Sequence, residues 1–190
     1  MSFIRTFRGH DVNLLAPKPD TIDITDIAHH LALTNRFNGA TPLPYSVAQH
    51  SVHVLQEVER RGGTPEQCLA GLLHDAQEAY FGDIVRPVKR IVCGMVYEDV
   101  TETFDAALAR RFGLASLADR LVRLADDALL AAEWIDFGFK GPPPVSVPRA
   151  GFAIKPWRWD VAEDRFRCQF DLAFSRLTRR TAFVTTGIIK

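Results

Sequence analysis

The chain has 190 residues, 47% apolar and 24% charged, which is enough for one domain with a sizeable core and unlike a disordered or fibrous chain. Lys plus Arg equals Asp plus Glu at 23 each, and a zero balance argues against wholesale binding to nucleic acid or a polyanionic membrane, which needs a basic surface, while leaving room for a small basic pocket. Cys68, Cys93 and Cys168 form no CxxC pair or disulfide framework, and no window approaches the ~18 apolar residues of a membrane span, so a cytoplasmic protein without membrane or nucleic-acid partners is expected.

Residues 1–20 carry Gly9, Pro17 and Pro19 without a helical period. They read as an irregular arm, with room for a short strand pair at SFIRTF. A helix opens near Asp23 or Thr25, either of which can cap it, and fades at Asn38-Gly39. Ser46 is an N-cap signal for SVAQHSVHVLQEVERR, which ends at Gly62-Gly63. Thr64-Pro65 opens EQCLAGLLHDAQEAYFG, which stops at Gly82. In DIVRPVKRIV, Pro87 works against a long regular helix. Further helices are predicted over about 97–111 and about 116–137. GPPPVSVPRAG is a loop, either an excursion near a site or a surface connection. A last amphipathic helix is predicted over about 160–179, with TAFVTTGIIK docking as an extended tail. Six helical segments without sustained period-two alternation give an all-α class, a single helical-bundle domain over 1–190.

Four potential metal ligands sit in otherwise apolar stretches: His50 in SVAQHSVHV, His74-Asp75 in LLHDAQEAY, and Asp126 in LVRLADDALL. A buried carboxylate needs a partner, and a divalent cation supplies one. Imidazole with carboxylate suits a transition metal. Neighbours His74 and Asp75 diverge by about 100° on a helix. Both reach one ion only if it lies off the face between them, where other helices complete the set. Taken singly, each residue has a plainer reading: a core histidine bonded to backbone, or a solvated or capping aspartate.

The order H…HD…D resembles the signature of the HD-superfamily metal-dependent phosphohydrolases. YSVAQHSVHV is similar to that family's first-ligand helix, and RLADDALL to its last-ligand helix. LLHDAQEAYFGDIVRPVK is similar to the HD helix and following turn of the bacterial 5′-deoxyribonucleotidase branch and of phage dATP triphosphohydrolases. The resemblance covers about residues 23–137. It implies one divalent metal (Co, Mn, Zn, Fe or Mg) held by His50, His74, Asp75 and Asp126, with Asp127 nearby or on the surface. Glu78 matches the acidic residue that serves as general acid/base, and its i, i+4 spacing puts it on the His74 face. Arg36-Phe37 matches an Arg-aromatic pair, the Arg on phosphate and the ring beside base or sugar. Arg123, three before Asp126, and Lys89 match cationic phosphate positions, and Asp83 matches a residue near the sugar. His10, His29, His30 and His53 have no ligand position. Trp157 and Trp159 read as packing or partner contacts.

The resemblance implies a nucleotide substrate. A 5′-deoxynucleoside monophosphate and a deoxynucleoside triphosphate both stay open, with Arg86 and Arg90 as extra cations for the longer phosphate. A homodimer, with the C-terminal helix as a contact, is common among such relatives. A non-catalytic ligand-binding or partner-binding module is the reading from another class.

Overall fold

The computed structural model describes residues 2–186; at 92–95 and 181–186 the description is of backbone alone. Strands β1 (Phe3–Arg5) and β2 (Asp11–Asn13) pair antiparallel, with Ile4 opposite Val12. The arm is therefore a short hairpin, and it is anchored. The buried Asp26 carboxylate accepts from the Arg8 amide at 2.7 Å and faces His10 Nδ1 at 2.8 Å.

Helix starts follow their caps. Asp23 accepts from the Thr25 amide and opens α1 (Ile24–Leu33). Ser46 accepts from the Gln49 amide and opens α2 (Val47–Arg60). Thr64 and Gln67 form a capping box ahead of Pro65 in α3 (Pro65–Leu73). Short turns α4 (Glu78–Phe81) and α5 (Arg86–Val88) follow, with Pro87 in the first turn, where its missing N–H is not needed. A π turn, Lys89–Cys93, leads directly into α6 (Gly94–Phe112), so this helix starts earlier than position 97. Asp119 accepts from the Leu121 and Val122 amides and sets the start of α7 (Arg120–Asp136), later than position 116.

The final helix, α8 (Trp159–Thr186), is longer than predicted at both ends. Positions 181–186, read from sequence as an extended tail, continue the helix, because no Gly or Pro interrupts it before Gly187. Positions 187–190 lie outside the described residues.

The protein is all-α apart from the hairpin. Helix α2 is central and packs on α1, α3, α7 and α8. Every residue from Val47 to Leu55 is buried, including Gln49, His50, Ser51 and His53. Buried polar groups must be bonded. The Gln49 amide donates to the Lys155 carbonyl and accepts from the Trp157 amide, both at 2.7 Å, which ties the segment after α7 onto α2. Each fully buried Val or Leu in this helix contributes about 1.5–3 kcal/mol relative to exposure. Gly71 lets α3 approach closely: a Cβ there would stand 3.2 Å from Val58 Cγ2 and 3.6 Å from Leu55 Cα.

One predicted helix is broken at the point of interest. The continuous helix expected over 66–82 ends at Leu73, and His74–Gln77 form turns. Bonding there runs three residues back, from the amide of Ala76 to Leu73 and from that of Glu78 to Asp75, both at 2.9 Å. This tighter 3₁₀-like winding advances about 120° per residue. It aligns Glu78 with Asp75 rather than with His74, correcting the i, i+4 expectation. Gly82 (φ 77°) then turns the chain out of α4, a conformation that a side chain would disfavour.

No helix of the described residues is long and apolar enough to cross a membrane. Cys68 is buried and Cys168 exposed, both unpaired; the Cys93 side chain lies outside the description.

Candidate metal centre

The close packing of α2 and α3 brings the His50 and His74 rings to 5.3 Å between centroids. One ligand atom from each of His50, His74 and Asp75 falls within 4.8 Å of the others, a group that can hold a metal ion. His74 Nε2 is 3.1 Å from Asp75 Oδ2, and His50 Nε2 is 3.8 Å from the same oxygen. Asp126 stands at the edge of this group: its Oδ1 is 3.2 Å from His50 Nε2 and 4.0 Å from His74 Nε2. Its other oxygen is 4.0 Å from Arg86, which also lies 3.9 Å from Asp127.

Both imidazoles are oriented from behind. His74 Nδ1–H donates to the Gly71 carbonyl at 2.8 Å. His50 Nδ1–H donates to Glu133 Oε1 at 2.6 Å. With Nδ1 committed, each ring turns Nε2 inward, and both Nε2 atoms are buried without a hydrogen-bond partner. Two buried orphan nitrogens beside a carboxylate are what a divalent cation satisfies, so the residues present fit a metal.

The electrostatics agree. Burial opposes charge on His74, but Asp75 and then Asp126 push its ring up to about 9. Burial and Arg36 likewise oppose charge on His50, and Glu133 with Asp126 outweighs them and raises it. Burial works against the Asp75 carboxylate, yet His74, His50 and Arg36 hold it well below the usual range; Asp126 is held at about 2 against burial, mainly by His50. A site that draws protons onto two imidazoles also draws a divalent cation in their place.

Glu133 was not singled out from the sequence. Its carboxylate is fully buried and accepts three bonds: from His50, from Tyr45 Oη at 2.7 Å, and from Arg36 Nη2 at 3.1 Å. Burial would raise it, but Arg36 and His50 keep it ionised. Asp126 and Glu133 are seven apart on one face of α7, so His50 meets one carboxylate at each ring nitrogen, two turns apart. That spacing in DDALLAAEW was the available signal.

A cavity of about 690 Å³ opens beside this centre, lined by Asp75 and Asp126 and by Glu78, Asp83, Arg36, Phe37 and Lys89. Arg36 bridges Glu133 and Asp75, the latter at 3.6 Å, and its buried Nε has no partner. Burial opposes its charge, and Glu133 and Asp75 more than compensate. Phe37 has φ 56°, a left-handed conformation costly for a bulky residue, at about 1–3 kcal/mol. Burial, then the charges of Asp75 and Asp83, pushes the Glu78 carboxyl well above its usual range, with Arg36 and Lys89 pulling against them. Lys89 Nζ stands 3.6 Å from Glu78 Oε1. Asp83 is raised chiefly by burial.

Arg123 is not brought to the site. It is exposed on the first turn of α7 and does not line the cavity. The cavity-facing row on this helix is Asp126, Leu130 and Trp134, in steps of four. A step of three back, with the side chain leaning toward the helix N-terminus, carries Arg123 away from it. Arg86 and Arg90 line the cavity instead. Pro144 and Phe139 also line it, so the loop after α7 is an excursion to the site.

The remaining histidines have other work. His30 donates from Nδ1 to the Ala79 carbonyl at 2.7 Å and accepts the Phe7 amide on Nε2 at 3.1 Å, linking hairpin, α1 and α4. His29 pairs with Glu163, and His53 packs edge-on against Phe152 and Trp157, where burial and His50 lower it to about 4.

No family model matches the chain. It is 38% identical, over 80% of its length, to an uncharacterized protein of Rhodobacter capsulatus, of which the match covers 86%. It is also 38% identical, over 73% of its length, to the uncharacterized protein YfdR of Escherichia coli, of which the match covers 74%. The chain belongs to the family of these two bacterial proteins.

Proposed function

We propose that the chain is an HD-superfamily, metal-dependent phosphohydrolase that cleaves the phosphate ester of a (deoxy)nucleotide, in the first place a 5′-deoxynucleoside monophosphate. The observation that carries this reading is the pair of orphan Nε2 atoms beside Asp75, a carboxylate that lines a cavity together with Glu78, Arg36 and Lys89. His50, His74 and Asp75, with Asp126 at the edge, would hold the ion. A divalent cation there lowers the pKa of water and polarises a phosphoryl oxygen.

The chain's own groups divide the remaining work. Arg36, fixed by Glu133, and Lys89 neutralise the phosphate as its charge redistributes. Glu78 carries a carboxyl raised by burial, which favours its protonated form and suits it to give a proton to the leaving oxygen. Balanced over one turnover, water adds to phosphorus, the ester P–O bond breaks, and the departing oxygen takes the proton.

The second enzymatic reading, a deoxynucleoside triphosphate triphosphohydrolase, is favoured by Arg86 and Arg90 on the same cavity wall. Chromatographic product analysis with panels of dNMP and dNTP, each with Co²⁺, Mn²⁺, Zn²⁺, Fe²⁺ or Mg²⁺, separates them. Nucleoside plus phosphate from the monophosphates supports the proposal, and triphosphate release supports the second reading. Stoichiometric metal without any product would leave a non-catalytic module.

A further inference from the structure

The cavity has two chemically different sets of lining residues. One is Asp75, Glu78, Arg36 and Lys89; the other is Leu130, Trp134, Phe139 and Pro144, joined to the first by Phe37, whose ring centroid lies 5.4 Å from Arg36 Cζ. The rings there form a connected wall: Phe139 lies 5.1 Å from Phe37 and 4.8 Å from Trp134, with interplanar angles of 42° and 32°. Trp134 projects from α7 two turns beyond Asp126, on the same row of that helix. Phe139 comes from the segment just past that helix, outside the part of the sequence that suggested a site.

We propose that Trp134 and Phe139, continuing from Phe37, form the platform on which the substrate's base stacks, and that they set specificity by ring area rather than by base edge. The inference rests on the nucleotide reading above and deepens it. Its first support is placement. One cavity of about 690 Å³, within the ~300–1,000 Å³ of small-molecule sites, holds both the cationic residues and the aromatic wall. A ligand that puts a phosphate on Arg36 has these rings within the same cavity, next to Phe37.

The second support is the polar inventory. The one polar side-chain group on the wall, Trp134 Nε1–H, is committed to the Gly141 carbonyl at 3.1 Å. The described wall side chains thus offer π faces and no free donor or acceptor to read a Watson–Crick edge. Stacking tolerates every base and strengthens with the area of the ring. Purine nucleotides are then preferred over pyrimidine ones, with little distinction between adenine and guanine.

The test is a fluorescence titration of the full chain with deoxyadenosine, deoxyguanosine, deoxycytidine, 2-deoxyribose 5-phosphate and inorganic phosphate, in wild type and Trp134→Phe. The purine nucleosides should quench most, deoxycytidine less, and the two base-free phosphates not at all. Trp134→Phe should remove the nucleoside response, leaving the Trp157 and Trp159 background. In parallel, Phe139→Leu, which keeps apolar bulk and loses the π face, should lower the kcat/KM ratio of dAMP to 2-deoxyribose 5-phosphate by about tenfold. Phe139→Tyr should restore that ratio.

A phosphate-only response of Trp134 would overturn the platform, as would equal losses on both substrates in Phe139→Leu. So would sharp discrimination between adenine and guanine, which needs an edge reader. Nucleoside quenching through Trp134 without hydrolysis of any ester would sink the hydrolase reading and leave the platform standing.

Discussion

Replacing Glu133 by Gln perturbs the centre without touching a metal ligand. The carboxylate accepts at both oxygens: His50 and Tyr45 donate to Oε1, and Arg36 donates to Oε2. A glutamine accepts at one position only, so its NH₂ must face a donor, and the buried Arg36 loses its principal counter-charge. Removing one partner of a buried ion pair costs about 3–5 kcal/mol. The near-isosteric amide keeps the volume and part of the bonding, which places the loss near about 3 kcal/mol. For a chain of this length that lowers Tm by about 6–12 °C. The His50 ring exchanges a charged acceptor for at best a neutral one, which holds its tautomer less firmly, so Mn²⁺ or Co²⁺ affinity should fall about 10–100-fold. Differential scanning calorimetry and isothermal titration read the two effects. A Tm within 2 °C of wild type together with unchanged metal affinity would refute the positioning role of Glu133.

Three further outcomes follow from the geometry. Glu78→Gln should retain metal at wild-type stoichiometry and lose kcat by about 10²-fold or more, as measured in a phosphate-release assay; near-normal kcat would remove Glu78 from the chemistry. Lys89→Ala should raise KM for a phosphomonoester about tenfold while Arg123→Ala changes kcat/KM less than twofold, because Lys89 lines the cavity and Arg123 does not. Asp26→Asn should lower Tm at pH 7, and the gap to wild type should narrow only as the pH falls below about 3.9. Burial opposes the Asp26 charge, but His10 and the Arg8 amide hold the carboxylate below its ordinary value. A depressed folded pKa contributes stability above the unfolded value of about 3.9, and that stability is lost as pH falls through the folded pKa.

Much of the bundle was legible because helix ends are local chemistry. Asp23, Ser46 and Thr64-Pro65 cap where their side chains predict, and the apolar stretches around His50, His74 and Asp126 are buried. The gathering of His50, His74 and Asp75 was legible too, from residue types and order. The break at His74 was not, since the residues stay near helical angles and only the bonding tightens. Glu133 was missed because a lone glutamate in LLAAEW reads as surface, whereas three donors from distant segments bury it. Arg123 was misplaced because spacing fixes an angle around a helix but not which side the cavity occupies. Phe139 lies just past the helix end, where its N–H donates to the Trp134 carbonyl and Trp134 Nε1–H donates to the Gly141 carbonyl, contacts that no hydrophobic period marks in the sequence.

Metal content is the most direct measurement. Chelator-stripped protein, reloaded with Mn²⁺ or Co²⁺ and desalted, should carry one ion per chain by elemental analysis, and His74→Ala and Asp75→Asn should carry none while remaining folded by circular dichroism. Wild-type protein without stoichiometric metal after reloading, or full loading in both folded variants, would contradict the account.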